Sequence, residues 1–308
     1  MTWLEHYFYT PSRGQKLLAY ALLPVSFIYG SVARIKRALA PYEDLRIPII
    51  SVGNLVVGGS GKTPFILELG KILEPLHVGV VSRGYGRASK GLVVVSERGE
   101  ILVSPKEAGD EAFLCASRLK ASVVVSADRK TGILKAKELG AQVILLDDGF
   151  RFNYKKLNIV LKPERAPYFD FVLPSGAYRE FFGGYKEADL LLQEGKDYTR
   201  KVWVRNPSPR MLLVTAIANP SRLDPYLPEV VGKLYFKDHA YFDQTLLQKA
   251  FEQHGATSLL VTTKDAVKLL DCPLPLSVLE LSLNISKAHL ETICHYANTC
   301  SCGASVRK

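Results

Sequence analysis

Two α/β units follow from the sequence, the first built on a mostly parallel sheet, and three observations predict them. From residue 47 onward, short apolar runs rich in Val, Ile and Leu alternate with helical stretches, the pattern of strands covered on both faces. A composition shift at Asn206-Pro207-Ser208-Pro209 marks a linker, and a second, shorter α/β series follows it. The 308 residues, 47% hydrophobic and 23% charged, are enough for two buried cores and exclude a disordered chain.

The N-terminal segment stands apart from both units. Leu17 to Ala33 (LLAYALLPVSFIYGSVA) carries 17 residues without a charge, bracketed by Lys16 and by Arg34, Lys36 and Arg37. A spanning helix needs about 20 apolar residues, and Pro24, Ser26, Gly30 and Ser31 interrupt this run. A signal peptide fits poorly, because basic residues follow the run where a cleavage site belongs. Val32, Ile35 and Leu39 share one helical face, opposite Arg34 and Arg37. Trp3, Tyr7, Tyr9, Tyr20 and Tyr29 are of the types that gather at bilayer interfaces. The alternative is a buried helix pair kinked at Pro24. The expectation is a membrane-associated helical segment over residues 1–45, lying at the surface.

In the first unit the predicted strands are Ile47–Val52, Val78–Ser82, Ser122–Ser126, Val143–Leu146 and Leu157–Leu161. The predicted helices are Thr63–Leu73, Pro105–Leu119 and Arg129–Leu139, the second opened by Ser104, Pro105 and Glu107 as a capping box. Leu92–Val95 and Ile101–Val103 read as an inserted hairpin. The second unit should hold strands at Met211–Thr215, Val230–Tyr235, Leu259–Thr262 and Val278–Leu283, with helices at Phe242–His254, Lys264–Leu270 and Lys287–Tyr296. The expected domain bounds are 1–45, 46–206 and 207–308.

A net charge of +10 favours anionic partners. No helix-turn-helix, RRM or zinc-finger pattern supports nucleic acid as that partner, and nothing implies an obligate protein partner. Cys115, Cys272, Cys294, Cys300 and Cys302 form no disulfide framework and suit a reducing compartment. Cys294, His295, Cys300 and Cys302 lack a C-x-x-C pair and read as an ordinary tail rather than a metal site.

The chemistry begins at SVGNLVVGGSGKTPF, residues 51–65. Gly61-Lys62-Thr63 ends a phosphate-binding loop pattern, but its first glycine position holds Val56. The context is strand, loop, then apolar-periodic helix, which is what such a loop requires. Gly58, Gly59, Ser60 and Gly61 can turn backbone N–H groups toward a phosphate, followed by Lys62, Thr63 and Pro64. Lys62 would reach the β- and γ-phosphates of ATP and Thr63 a magnesium ion (Mg2+). VILLDDGF places Asp147 and Asp148 at the C-terminal end of an apolar strand, where phosphate-loop enzymes keep the acid that holds magnesium. The predicted fold class is therefore α/β: a phosphate-loop NTPase-like parallel sheet domain, an N-terminal membrane-associated helix, and a second, smaller α/β domain.

LLPVSFIYG, SVGNLVVGGSGKTP, SRGYGR, GDEA, DDGF, LPSGAYRE, KDHAYF and TTKDAVKL occur in this order. Together they resemble the tetraacyldisaccharide 4'-kinase family of lipid A biosynthesis, whose own loop also lacks the first glycine. The resemblance implies transfer of the γ-phosphate of ATP, with magnesium, to the 4'-hydroxyl of an acylated disaccharide 1-phosphate. It implies that the work is done on the cytoplasmic face of the inner membrane. It further implies that Asp110 is the base, paired with His239, and that Arg83, Tyr85, Glu111 and Arg179 lie at the substrate, with Arg87 and Glu180 as further candidates. Asn219-Pro220 and Thr262 to Asp265 match too, but also read as turn and cap residues. One departure is Arg151-Phe152, where the family commonly has Gln-His. A phosphate-loop GTPase or ATPase that uses hydrolysis to drive a partner is the rival reading, and the adjacency of Lys264 and Asp265 spoils the [NT]-K-x-D spacing that a GTPase needs.

Overall fold

The computed structural model describes residues 3–301 apart from Gly59, Ser60, Glu164 and His239, with no side-chain account of Cys300 and Ser301. Three helices open the chain: α1 (Trp3–Tyr9), α2 (Arg13–Ala21) and α3 (Leu23–Leu39). The first series then runs β1 (Ile49–Gly53), α4 (Lys62–Ile72), β2 (Val78–Ser82), β3 (Val93–Glu97), β4 (Glu100–Ile101), α5 (Pro105–Ala108), α6 (Asp110–Arg118), β5 (Ser122–Val125), α7 (Arg129–Glu138), β6 (Val143–Asp147), β7 (Leu157–Leu161) and β8 (Leu190–Leu192). The second runs β9 (Tyr198–Arg205), β10 (Met211–Thr215), β11 (Gly232–Tyr235), α8 (Gln244–Gln253), β12 (Ser258–Thr262), α9 (Thr263–Ala266), β13 (Leu276–Ile285) and α10 (Lys287–Ser301).

The larger sheet has the order β4-β3-β5-β2-β6-β1-β7-β8, parallel except for the β3–β4 hairpin at one edge. Its central strands are buried on both faces, which explains their continuous apolar runs. One face packs α4, α6 and α10 through Phe65, Leu69, Phe113, Ile293 and Ala297; the other packs α7 through Ile133 and Ala136. The smaller sheet has the order β11-β10-β12-β13-β9, with β9 antiparallel to β13. β9 lies ahead of the predicted linker, yet it pairs in the second sheet. Tyr198, Leu283 and Ile285 of that sheet join the core of the first, so the two sheets share α4 and α10 between them.

Two predicted helices differ in extent. The stretch Pro105–Leu119 is two helices, because Gly109 sits at φ 83, a left-handed value that breaks the ladder. A Cβ there would lie 2.8 Å from the Tyr85 carbonyl, so the break also lets the SRGYGR loop close over it. Asp110 is consequently the first residue of its own helix. The helix expected over Lys264–Leu270 closes after one turn, Thr263–Ala266, with the buried Asp265 inside it. In the hairpin, strand continues to Glu97, and Arg98 and Gly99 form the two-residue turn with positive φ.

At the N-terminus the chain breaks at Leu22, so Pro24 starts a new helix instead of kinking one, and α2 and α3 meet at a bend of 53°. α3 packs by small residues. The hydroxyls of Ser26 and Ser175 bond at 2.7 Å, and a Cβ on Gly30 would lie 2.6 Å from the Phe181 ring. Its other face leaves Phe27, Ile28, Ile35 and Leu39 exposed, which the buried-pair alternative does not allow. No single described helix is long and apolar enough to cross a membrane, although the bent pair together passes that test by length and composition.

Candidate active site

The site forms at the C-terminal edge of the large sheet, where β2, β6 and β1 end side by side. After β1 the chain runs through Asn54 to Val56, and Val56 is buried and bridged to Tyr178. Val57 donates to the Ala177 carbonyl at 2.9 Å, and Arg179 to the Leu55 carbonyl at 2.7 Å. Extended, paired backbone does not need glycine, which explains the valine. Gly61, at φ 77, then turns the chain into α4 as its N-cap. Lys62, Thr63 and Pro64 form the first turn, whose N–H groups have no intrahelical partner, so Pro64 forfeits nothing there. Gly58 is also at positive φ. The expectations for Gly59 and Ser60 fall outside the described residues.

Lys62 donates to Asn54 Oδ1 at 3.1 Å and stands 3.9 Å from Asp148. Arg179 grips Asp148 with two parallel bonds of 2.8 and 2.9 Å, and also bonds the Asn54 carbonyl at 3.0 Å and its side-chain oxygen. The Ala177–Arg179 segment thus both staples the loop's start and delivers a guanidinium to the acid. Burial pushes Asp148 up, but the Arg179 bonds and the charges of Lys62, Arg179 and Arg151 outweigh it, and its carboxyl is held below the usual value. Asp147 goes the other way. Burial first, and the charge of Glu111 next, push it up to about 7 against the pull of Lys62 and Arg129. Its Oδ1 is shut from solvent with no hydrogen-bond partner. Adjacent acids driven apart mark a functional site.

That orphaned oxygen is the test for a metal. A half-buried carboxylate with one oxygen shut from solvent and unpartnered, one residue past the apolar part of β6 and within the field of Lys62, fits Mg2+. Among the described residues no three His, Cys, Asp or Glu side chains converge. The protein alone would therefore supply few of the six oxygen ligands, as is usual where phosphates and water complete the shell.

Asp110 is 5% exposed, at the start of α6, with the Lys268 ammonium 2.9 Å from its Oδ2. Glu111 pairs with Lys264 at 3.5 Å. His239 lies outside the described residues. Arg83 and Tyr85 project from the loop after β2, exposed, with the guanidinium 5.4 Å from the ring centre. Arg87 is instead spent on the loop itself, bonding Ser89 at 3.2 Å and the Gly91 carbonyl at 2.5 Å. Arg151, at the departure from the family pattern, pairs with Glu180 at 2.7 Å and bonds the Arg179 carbonyl at 2.6 Å.

Sequence reasoning missed four residues. Asn54 links Lys62 to Arg179. Arg129 is 4% exposed and bonds the Ser126 carbonyl at 2.6 Å, with its Nε unpartnered, and its charge acts on Asp147 and Asp148. Lys156 ties the turn after the acids, donating to the carbonyls of Gly149, Phe150 and Phe152 at 2.5, 3.1 and 2.6 Å. Lys268 is the fourth. The only advance signal was the placement of Arg129 just after a strand, on the ligand-binding edge.

A doubly covered parallel sheet, a left-handed glycine opening a helix with lysine and threonine, and paired acids on the neighbouring strand define a phosphate-loop nucleotide-dependent enzyme. The family model described as Tetraacyldisaccharide-1-P 4'-kinase matches residues 18–208 and 199–297, and the chain belongs to that family. Tetraacyldisaccharide 4'-kinase of Helicobacter pylori (strain ATCC 700392 / 26695) is 60% identical over 295 residues, covering 95% of this chain and 94% of the relative. The Aliarcobacter butzleri protein of the same name is 43% identical, covering 92% and 93%. Among solved structures, LpxK from Aquifex aeolicus in complex with ATP superposes with a TM-score of 0.72 at 29% identity, over 91% of this chain and 99% of that one.

Proposed function

We propose that this chain transfers the γ-phosphate of ATP to the 4'-hydroxyl of a tetraacyldisaccharide 1-phosphate in lipid A biosynthesis. The observation that carries the reading is the Lys62 ammonium at the N-terminus of α4, 3.9 Å from Asp148 at the end of β6. Lys62 balances charge spread over the transferring group, and the loop from Gly58 to Pro64 cradles the phosphates. Thr63 and Asp147 would hold the magnesium that neutralises the β- and γ-phosphates, with Asp148 fixed beside them by Arg179. Asp110 takes the proton of the sugar hydroxyl, oriented by His239. Arg83, Tyr85 and Glu111 line the approach of the disaccharide.

The acceptor carries acyl chains, and the reading places the enzyme on the cytoplasmic face of the inner membrane. Support comes from the exposed apolar face of α3 beside Arg34 and Lys36, a combination suited to an anionic lipid surface. The three-part division is proposed with the smaller unit beginning at β9. The experiment is incubation with ATP, magnesium and the disaccharide 1-phosphate in detergent, followed by mass analysis of the lipid. A gain of one phosphoryl group, with ATP turnover dependent on the acceptor, is expected. ATP hydrolysis indifferent to the acceptor would refute it.

A further inference from the structure

The side chain of Lys268 is 0% exposed, although it follows a single helical turn at the edge of the second unit. Its ammonium stands 2.9 Å from Asp110 Oδ2 and 4.0 Å from Asp265, bonds the Ala240 carbonyl at 3.3 Å, and lies 5.8 Å from the Phe242 ring centre. Asp265 is already served by the hydroxyls of Thr215 and Thr262, each at 2.7 Å, and by the Ala216 amide at 3.2 Å. The lysine's charge is therefore directed at Asp110.

Docking of the second unit on α6 does not by itself require this arrangement. Lys264 with Glu111 and Arg118 with Glu280, at 3.5 and 2.7 Å, already join the two, and both pairs keep part of their surface in water. Taking an ammonium wholly out of water costs several kcal/mol, and an apolar residue in its place is often as stable. A lysine kept there against that penalty, in contact with one acid at the start of α6, points to a role exerted through that acid.

We propose that Lys268 is a positioning residue for Asp110, holding Oδ2 and keeping the carboxylate ionised when the second unit is docked on α6. The inference rests on the reading of Asp110 as the base. The hydroxyl proton passes to Asp110 as the new O–P bond forms and the bond to the β,γ-bridging oxygen breaks. Among the described residues, Tyr241 also faces Asp110, its phenol raised by burial and then by Asp110, while Glu111, next to Asp110 on α6, is paired with Lys264 and Asp265 lies 4.0 Å from Lys268. His239, proposed above to orient the same acid, is the remaining titratable group of the cluster.

The test is Lys268→Met, alone and with Asp110→Asn, in the full-length protein with ATP, magnesium and lipid acceptor. The single change should lower kcat roughly 10–100-fold, less than loss of the base, with ATP affinity unchanged. It should also move the acidic limb of kcat/KM to higher pH by roughly one unit or more, since an opposite charge no longer favours the carboxylate. Added to Asp110→Asn it should lower kcat no further. A folded Lys268→Met protein with wild-type kcat and an unmoved acidic limb overturns the proposal, while a large loss at Asp110→Asn leaves the base standing. Wild-type turnover by Asp110→Asn instead refutes the base. Should Lys268→Met fail to fold, Lys268→Gln keeps a donor without the charge. The same displaced limb is expected of it, and an unmoved limb overturns the proposal.

Discussion

Asp147→Asn should make the protein, free of nucleotide and magnesium, more stable above neutral pH. Burial and the Glu111 charge raise the Asp147 carboxyl from 3.8 to about 7. A carboxyl whose folded value lies above its unfolded one favours the protonated form on folding. Its contribution is therefore full below pH 4 and is lost as pH rises to 7. Asparagine keeps the shape, removes the charge and abolishes the slope. The shift corresponds to an upper bound of about 4 kcal/mol at pH 8, which for a chain of this length raises the melting temperature on the order of 5 °C. The assay is thermal unfolding with a chelator from pH 5 to 8. The variant should gain on wild type from pH 5 to about 7 and hold that gain to pH 8, while losing phosphoryl transfer and any stabilisation by added magnesium. A difference independent of pH, or a variant less stable than wild type at pH 8, would refute the reasoning.

Lys62→Ala should reduce phosphoryl transfer by at least roughly 10²–10³ with the fold intact, because no other described ammonium stands between Asn54 and Asp148; near-normal turnover would sink the phosphate-loop assignment. Arg179→Lys should not substitute, since an ammonium cannot reproduce the paired 2.8 and 2.9 Å bonds to Asp148, and steady-state kinetics should show kcat down roughly tenfold or more. Replacing Ile28, Ile35 and Leu39 together by serine should weaken binding to anionic vesicles and raise the apparent KM for lipid. Each would forfeit up to roughly 1.5 kcal/mol at an interface, with the melting temperature unchanged because all three are exposed. Unaltered vesicle binding would remove the anchor.

What the chain made legible was whatever repeats along it. The runs VGVVS, SVVV and VILLD announce doubly buried strands by their continuity, and they fall where expected. The strand YTRKVWVR alternates buried and exposed residues, as an antiparallel edge strand does, but with three charges in eight residues it carries no apolar run and received no assignment from the sequence. Gly109 was hidden because a capping box and an apolar face ran on either side of it, and only the close approach of the Tyr85 carbonyl shows why the helix stops. In the site, the loop and the acids were legible because each is a local motif. The partnership of Arg179 with Asp148 was not, and neither was that of Lys268 with Asp110. Both join residues far apart in sequence, and nothing local separates such side chains from an ordinary surface cation.

The same segment that completes the phosphate site also reaches the N-terminal helices, and that connection bears on how a lipid is phosphorylated. Arg179 holds Asp148, Glu180 pairs with Arg151, and Phe181 packs against Gly30 of α3. Ser175, earlier in the segment, bonds Ser26 of the same helix. Arg151 closes the circuit, bonding the Arg179 carbonyl at 2.6 Å and reaching the Tyr29 hydroxyl at 3.4 Å. Two residues of chain span at most about 7 Å. The residue whose ring packs on the helix proposed to lie in the lipid surface is thus fixed within that reach of the arginine that grips the acid. On the proposed reading, an acceptor whose acyl chains stay beside α3 presents its sugar to the phosphate loop without leaving the membrane. Chain between Ser175 and Phe181 that loosened would uncouple the two, leaving ATP bound and the acceptor out of range. That is a reason for this loop to be buried and doubly bonded where most loops are not.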